Sequence, residues 1–181
     1  AIKTCFYYRY KFKAIGWRSA ILKPLRIDHG KNISIGDRVF VGYKSWLAAS
    51  PLTGHQDCKL IIDDGCTIGN FNHIYSTHEV ILEKHVLTAD KVYISDNIHG
   101  YEDVTSPIMT QPVVQKKTVR IGTGSWLGEN VCVIGASIGA HSVIGANSVV
   151  TTDIPSFSVA VGAPARVIKK YNFYSKKWEK F

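Results

Sequence analysis

Aliphatic–glycine pairs recur at six-residue spacing along most of this chain. They stand at Ile35-Gly36, Val41-Gly42, Ile68-Gly69, Ile121-Gly122, Leu127-Gly128, Ile138-Gly139, Ile144-Gly145 and Val161-Gly162, and hold eight of the fifteen glycines. Units opened by Ile62, Ile74, Leu82, Thr88 and Ile94 keep the spacing without the glycine. The fifth place of a unit is small or β-branched: Val39, Ser45, Cys66, Ser125, Val131, Ser142, Ser148, Ala165. Places one and five have the same parity, so on extended chain they point to one side. Each unit is then a short strand with two inward residues beside a turn, and only stacked units bury a continuous core. The slips from Ile33 to Ile35 and from Val80 to Leu82 are steps of two, which preserve inside and outside. Only Val133 to Ile138 is an odd step, and it requires one shortened turn. Apolar residues do not recur at three and four, as a helix would need. The turn clusters about every 8–12 residues that mark an antiparallel sandwich are missing.

The repeat organises a chain whose 181 residues suit one domain. It runs over residues 27–168 and is broken by two polar, Pro-containing loops, 48–59 and 99–118. Loops on a rigid scaffold are where function concentrates. Ahead of it, Phe6, Tyr10, Ala14, Trp17 and Ile21 lie at helical spacing among Arg9, Lys11, Lys13 and Arg18. That spacing predicts a basic helix over residues 1–26 covering the open end. Tyr174, Trp178 and Phe181 predict a short helix in the basic, aromatic tail 169–181.

Charge separates the ends from the body. Residues 1–26 hold seven Lys/Arg and no acid, and residues 166–181 hold six against Glu179. The ends thus carry +12 of a formal net +8, leaving the middle at −4. A nucleic-acid binder carries its basic stripe on the folded body, so that class is set aside. The basic ends fit a phosphate site, peripheral contact with an anionic membrane, or plain solubility. No apolar run reaches membrane-spanning length, and the N-terminus lacks a signal-peptide pattern, so a cytoplasmic location is expected. Cys5, Cys58, Cys66 and Cys132 form no C-x-x-C pair, which predicts reduced thiols.

Three stretches carry a family likeness. They are Ile121-Gly-Thr-Gly-Ser-Trp-Leu-Gly-Glu-Asn-Val, Ile138-Gly-Ala-His-Ser-Val-Ile-Gly-Ala-Asn-Ser-Val-Val-Thr-Thr-Asp-Ile-Pro, and Val161-Gly-Ala-Pro-Ala-Arg-Val-Ile-Lys. This sequence resembles the hexapeptide-repeat acyltransferases, in the branch that O-acetylates sugars and surface polysaccharides. The resemblance implies a left-handed parallel β-helix, acetyl-CoA as co-substrate, a homotrimer with active sites between subunits, and a sugar or polysaccharide acceptor. The left hand is implied by the family alone, since packing rules favour right-handed crossovers.

The resemblance also assigns roles. The second loop opens with Asp96-Asn-Ile-His99-Gly-Tyr-Glu-Asp, and relatives place their catalytic His after a pattern like Asp-x-x-His-Gly. His99 is therefore the expected general base, a role suited to an imidazole, against the alternative of a loop His that only bonds its neighbours. Asp96 either orients that ring or caps the turn that launches the loop. Relatives sometimes carry a second His where this chain has Asn97. Trp126 matches a Trp beside the acyl-donor cleft, placed to donate its N–H, to stack on sugar or pantetheine, or to make a trimer contact. Gly128 and Ala146 match the pantetheine groove, and Thr151, Thr152, Arg166 and Lys169 the nucleotide end. Many relatives have Lys in place of Thr152, which shifts phosphate binding toward Arg166 and Lys169-Lys170. Tyr101, Glu102 and the 48–59 loop are the expected acceptor contacts. Asn72 and His78 fall at inward fifth places, as corner residues or substrate-facing groups.

His73 and His78 share the H-x₄-H spacing of the γ-class carbonic anhydrases, but the surrounding pattern is absent and no metal is expected. Three alternatives stay open: an N-acetyltransferase on the same fold, a non-catalytic β-helix scaffold subunit, and, third, a zinc hydratase.

Overall fold

The computed structural model describes residues 8–181. Strands of two to four residues alternate with corners, and the chain visits three faces in rotation. Face 1 stacks Ala14–Ile15, Ile33–Ile35, Lys59–Ile62, Glu79–Leu82 and Val119–Ile121, continued by bridges from Ile121 to Ile138 and Ile154. Face 2 stacks Ala20–Ile21, Phe40–Val41, Thr67–Ile68, Leu87–Thr88, Trp126–Leu127, Val143–Ile144 and Ser158–Val161. Face 3 stacks Arg26–Asp28, Trp46–Ala49, His73–Ser76, Tyr93–Ser95, Cys132–Ile134 and Val149–Val150. Successive coils pair in parallel, for example Leu82 over Ile121 and Ile74 over Ile94. This is a three-faced parallel β-helix.

First-place residues form its core columns. Ile35, Ile62, Leu82, Ile121, Ile138 and Ile154 line up on face 1, and Val41, Ile68, Thr88, Leu127, Ile144 and Ala160 on face 2. Leu47, Ile74, Ile94, Val133 and Val150 do so on face 3, and all three columns are buried. Each large aliphatic removed from water stabilises the fold by about 1.5–3 kcal/mol.

The corners explain the remaining places of the repeat. The fourth place is left-handed whether or not it is glycine: φ is 54° at Arg38, 52° at Lys44, 59° at His85 and 57° at Lys91. The second-place glycines answer a different need. A Cβ on Gly36 would lie 2.7 Å from the Asp64 nitrogen, and one on Gly122 2.4 Å from the Ala140 nitrogen. Coils pass too closely there for any side chain. Fifth-place serines bond between coils: Ser125 Oγ donates to the Gly139 carbonyl at 2.8 Å and accepts from the Ser142 N–H at 3.0 Å. Burial pushes the Cys58 and Cys66 thiols up to about 11, and no disulfide occurs among the described residues.

From Ala14 onward the predicted N-terminal helix is replaced by strands, its residues 1–7 lying outside the described residues, and the predicted C-terminal helix is a hairpin. Ala14–Ile15 and Ala20–Ile21 pair with Ile33–Ile35 and Phe40–Val41. The solenoid thus reaches back to Ala14, and without this coil the edge of the next would be left unpaired. Ile15-Gly16, Ile21 and Ile27 continue the six-residue phase backwards, a signal masked by the helical spacing of the aromatics. Phe6 lies outside the described residues, whereas Phe12 is buried against the first coils. At the other end, Arg166–Asn172 and Lys177–Lys180 form an antiparallel hairpin on the edge of face 2. Its cross-strand Tyr171–Trp178 pair and the Asn172 turn favour strand over helix. No helix among the described residues is long and apolar enough to cross a membrane.

Candidate active site

Loop 99–118 begins as a hairpin in which Asn97–His99 pairs antiparallel with Val113–Gln115. Its base is tied down by Gln115. The Gln115 Nε2 donates to the Asp96 carbonyl at 2.9 Å, while its Oε1 accepts from Thr77 Oγ1 at 2.8 Å and Thr53 Oγ1 at 3.0 Å. One side chain thereby joins the hairpin to both the 76–79 turn and the first loop. The hairpin's outer part is held by Asp103, whose carboxylate accepts from the Thr105 hydroxyl and N–H. Those bonds, with others from Ser106, hold it down to about 2.

His99 is exposed, and its ring makes no hydrogen bond among the described residues. It stands at the lip of a cleft of about 260 Å³ between the hairpin and face 3. The hairpin side is Asn97, Ile98 and Val113, and Leu52 of the first loop adds a wall. The floor is aromatic. Trp46 and His73 stack at 4.1 Å and 6°, Tyr75 meets Trp46 edge-on at 5.9 Å, and Tyr93 lies 5.1 Å from His73. Trp46 is held in place by its Nε1, which donates to Asp28 Oδ2 at 2.9 Å. Burial pushes His73 below the ordinary imidazole value despite the Asp28 carboxylate, and its Nε2 is buried without a partner among the described residues. Sequence reasoning missed this floor. The signal was present, since Trp46, His73 and Tyr93 all occupy outward sixth places of units on face 3.

The sequence-predicted residues are dispersed. Asp96 makes no hydrogen bond to His99. It is fully buried, and its two oxygens accept the backbone N–H groups of Thr77, His78 and Glu79 at 2.8–2.9 Å, so it caps a turn. Asn72 is also buried, donating to the Ala89 carbonyl and accepting from Thr88 Oγ1, and has no surface for substrate. His78 is half-buried in the turn rather than inward; Ser76 takes the inward position. Tyr101 and Glu102 are exposed on the loop and do not line the cleft.

Trp126 stands on face 2, about half exposed, and is not part of the His99 cleft of its own chain. Gly128 and Ala146 lie one above the other at the corner between faces 2 and 3, where a Gly128 Cβ would meet the Ala146 nitrogen at 2.7 Å. The Ala165 N–H donates to the Val149 carbonyl, which brings the exposed Arg166 beside the same corner. Thr151 and Thr152 are exposed at the far end of the Val149–Val150 strand, and Lys169 is exposed opposite Val159. A wider opening on face 1, around Glu83, Arg120 and Ser156, holds none of these groups.

The family described as hexapeptide repeat of succinyl-transferase matches residues 118–152. The putative lipopolysaccharide biosynthesis O-acetyl transferase WbbJ of Escherichia coli (strain K12) is 38% identical over 128 residues, 67% of this chain and 65% of that protein. A maltose O-acetyltransferase of Clostridium difficile 630 is 32% identical, with 90% of this chain and 71% of that chain covered at a TM-score of 0.59. The chain belongs to the hexapeptide-repeat acetyltransferases. AntD, an N-acyltransferase from Bacillus cereus solved with dTDP and 3-hydroxybutyryl-CoA, shares the fold. It superposes at a TM-score of 0.77 with 19% identity, over 94% of this chain and 89% of that one. This hexapeptide-repeat chain spans 65% of the Escherichia coli relative, just under two thirds of its length.

Proposed function

We propose that this chain transfers an acetyl group from acetyl-CoA to a hydroxyl of a surface-polysaccharide sugar or its precursor. The observation that carries this reading is the unengaged His99 imidazole at the lip of an aromatic-floored cleft. Tyr75 and Tyr93 offer aromatic surface of the kind on which a sugar ring stacks, with hydroxyls at their edges, while Trp46 is held between His73 and Arg26 and backs them. His99 takes the acceptor hydroxyl's proton as the oxygen attacks the thioester carbonyl. The tetrahedral adduct then collapses, the C–S bond breaks, and the thiolate leaves with the proton from His99. General-base help of this kind contributes about 10²–10⁴-fold, and holding both substrates in one cleft supplies further rate.

Acetyl-CoA would lie along the corner of Gly128 and Ala146, with Arg166, Lys169, Thr151 and Thr152 toward its phosphates. The exposed Ala146 and the cationic edge at Arg166, Lys169 and Lys170 suit such a ligand. Because Trp126 and His99 occupy different faces, one chain does not assemble the full set. In a homotrimer, Trp126 and the corner of one subunit would complete the His99 cleft of the next.

The test is acetyl-CoA binding by calorimetry, then thiol release with sugar and amine acceptors, for wild type and His99→Ala. Binding by both, with turnover on sugars by the wild type alone, is the expected result. Turnover on amines alone would move the reading to N-acetylation, and absence of binding by either protein would overturn it.

A further inference from the structure

One group of side chains lies outside the cleft and has no role in the proposed transfer. His55 and Asp57, on the segment between Trp46–Ala49 and Lys59–Ile62, meet His78 of the turn that follows His73–Ser76. The His55 and His78 rings lie face to face, 3.8 Å apart and 15° from parallel. The ligand-capable atoms of the three residues all fall within 4.8 Å of one another. Neither ring, nor the Asp57 carboxylate, makes a hydrogen bond or ion pair among the described residues.

We propose that His55, Asp57 and His78 bind one divalent transition-metal ion of the zinc class, and that the ion fastens the 50–58 segment to the solenoid. Two imidazole nitrogens and one carboxylate oxygen make up a three-ligand zinc set with the fourth position left to water. Calcium and magnesium call for oxygen ligands throughout, so the donor set selects against them. No sulfur joins it, because Cys58 Sγ points inward to the Ser76 carbonyl at 3.5 Å.

The three groups are mounted unequally. His78 is carried by the solenoid, its N–H held by Asp96 Oδ2 at 2.8 Å. His55 and Asp57 sit on the outer segment, where Asp57 is exposed. Ligand atoms around a tetrahedral zinc are roughly 3.4 Å apart, and stacked imidazoles direct their in-plane lone pairs along parallel lines, so on binding the outer pair closes inward and His55 turns out of the stack. That segment also supplies Leu52 to the His99 cleft and the Thr53 hydroxyl to Gln115. A bound ion would therefore hold one wall of the cleft as a positioning element. The site differs from the H-x₄-H pairing weighed in the sequence, because His73 lies in the floor of the cleft and its ring is not grouped with His78.

The experiment uses the tag-free full chain and reads metal directly. Calorimetry with Zn²⁺ should give one ion per chain at micromolar affinity or tighter, and Co²⁺ should give the visible absorption of a tetrahedral site. His55→Ala and Asp57→Ala should each weaken binding by at least about tenfold, and His78→Ala likewise where it folds. His85→Ala and His141→Ala, in exposed corners, should bind as wild type does. No stoichiometric binding, or binding unchanged in both His55→Ala and Asp57→Ala, would overturn the proposal. These readouts do not depend on acetyl transfer, so either reading can fail without the other.

Discussion

The Thr77 N–H donates to Asp96 Oδ1 at 2.8 Å, locking the base of the hairpin that carries His99 to the turn of the preceding coil. His78 and Glu79 add their N–H groups to the other oxygen at 2.8 and 2.9 Å. Asp96→Ala strands three backbone donors, each costing about 1–3 kcal/mol when left unpaired. We expect a loss of at least about 3 kcal/mol in urea unfolding. A stable Asp96→Ala protein with a displaced pH–rate profile would instead show that Asp96 acts through His99.

Two glycines of the same motif should respond differently to alanine. At Gly122 the new Cβ would lie 2.4 Å from the Ala140 nitrogen and 2.6 Å from the Gly139 carbonyl carbon, both backbone of the next coil. At Gly145 the nearest atom, at 2.8 Å, is the Val161 Cγ1, at the tip of a side chain exposed enough to move. Overpacking against fixed structure costs about 1–3 kcal/mol or more. Thermal unfolding should therefore show Gly122→Ala clearly destabilised and Gly145→Ala close to wild type; equal losses would refute the distinction.

If His99 and Trp126 of adjacent subunits build one site, His99→Ala and Trp126→Ala chains should complement each other. Each mutant alone is expected to be nearly inactive. Trimers co-assembled from equal amounts of both would restore about a quarter of the sites, as random neighbours dictate. Mixtures no more active than their components would place each site within a single chain.

His73 should make stability depend on pH. Its folded-state value lies below the ordinary 6.5, because burial outweighs the pull of Asp28. Above the unfolded value both states are neutral and stability is complete. As pH falls below about 6.5 the unfolded chain binds a proton that the folded chain refuses, so stability declines until the folded value is passed. His73→Phe keeps the Trp46 stack and removes that proton. Urea midpoints between pH 7.5 and 5 should fall less steeply for His73→Phe, and parallel slopes would exclude His73 as the source.

The six-residue phase determined the β-helix, its inward columns and the loops that interrupt it. A local strand period is written directly in side-chain order, so it survives without knowledge of the fold. His99 was singled out as a candidate for a similar reason, as part of a compact motif at a loop entrance, and Trp126 and Arg166 through theirs. The terminal segments were misread because aromatic spacing mimics a helix, while the demand of an open sheet edge for a partner is not local. The two readings of Asp96 were not separable from sequence, and Asn72 was misassigned, because a buried polar group takes whichever partners the neighbouring coil offers, 16 to 20 residues away for Thr88 and Ser76. The six-residue phase marks Trp46, His73 and Tyr93 as outward, but that they meet in one floor, and that His55 meets His78, was decided by the stacking of coils. Stacking turns residues about one coil apart into neighbours, and only the tertiary structure says which corners and loops come to lie against each other.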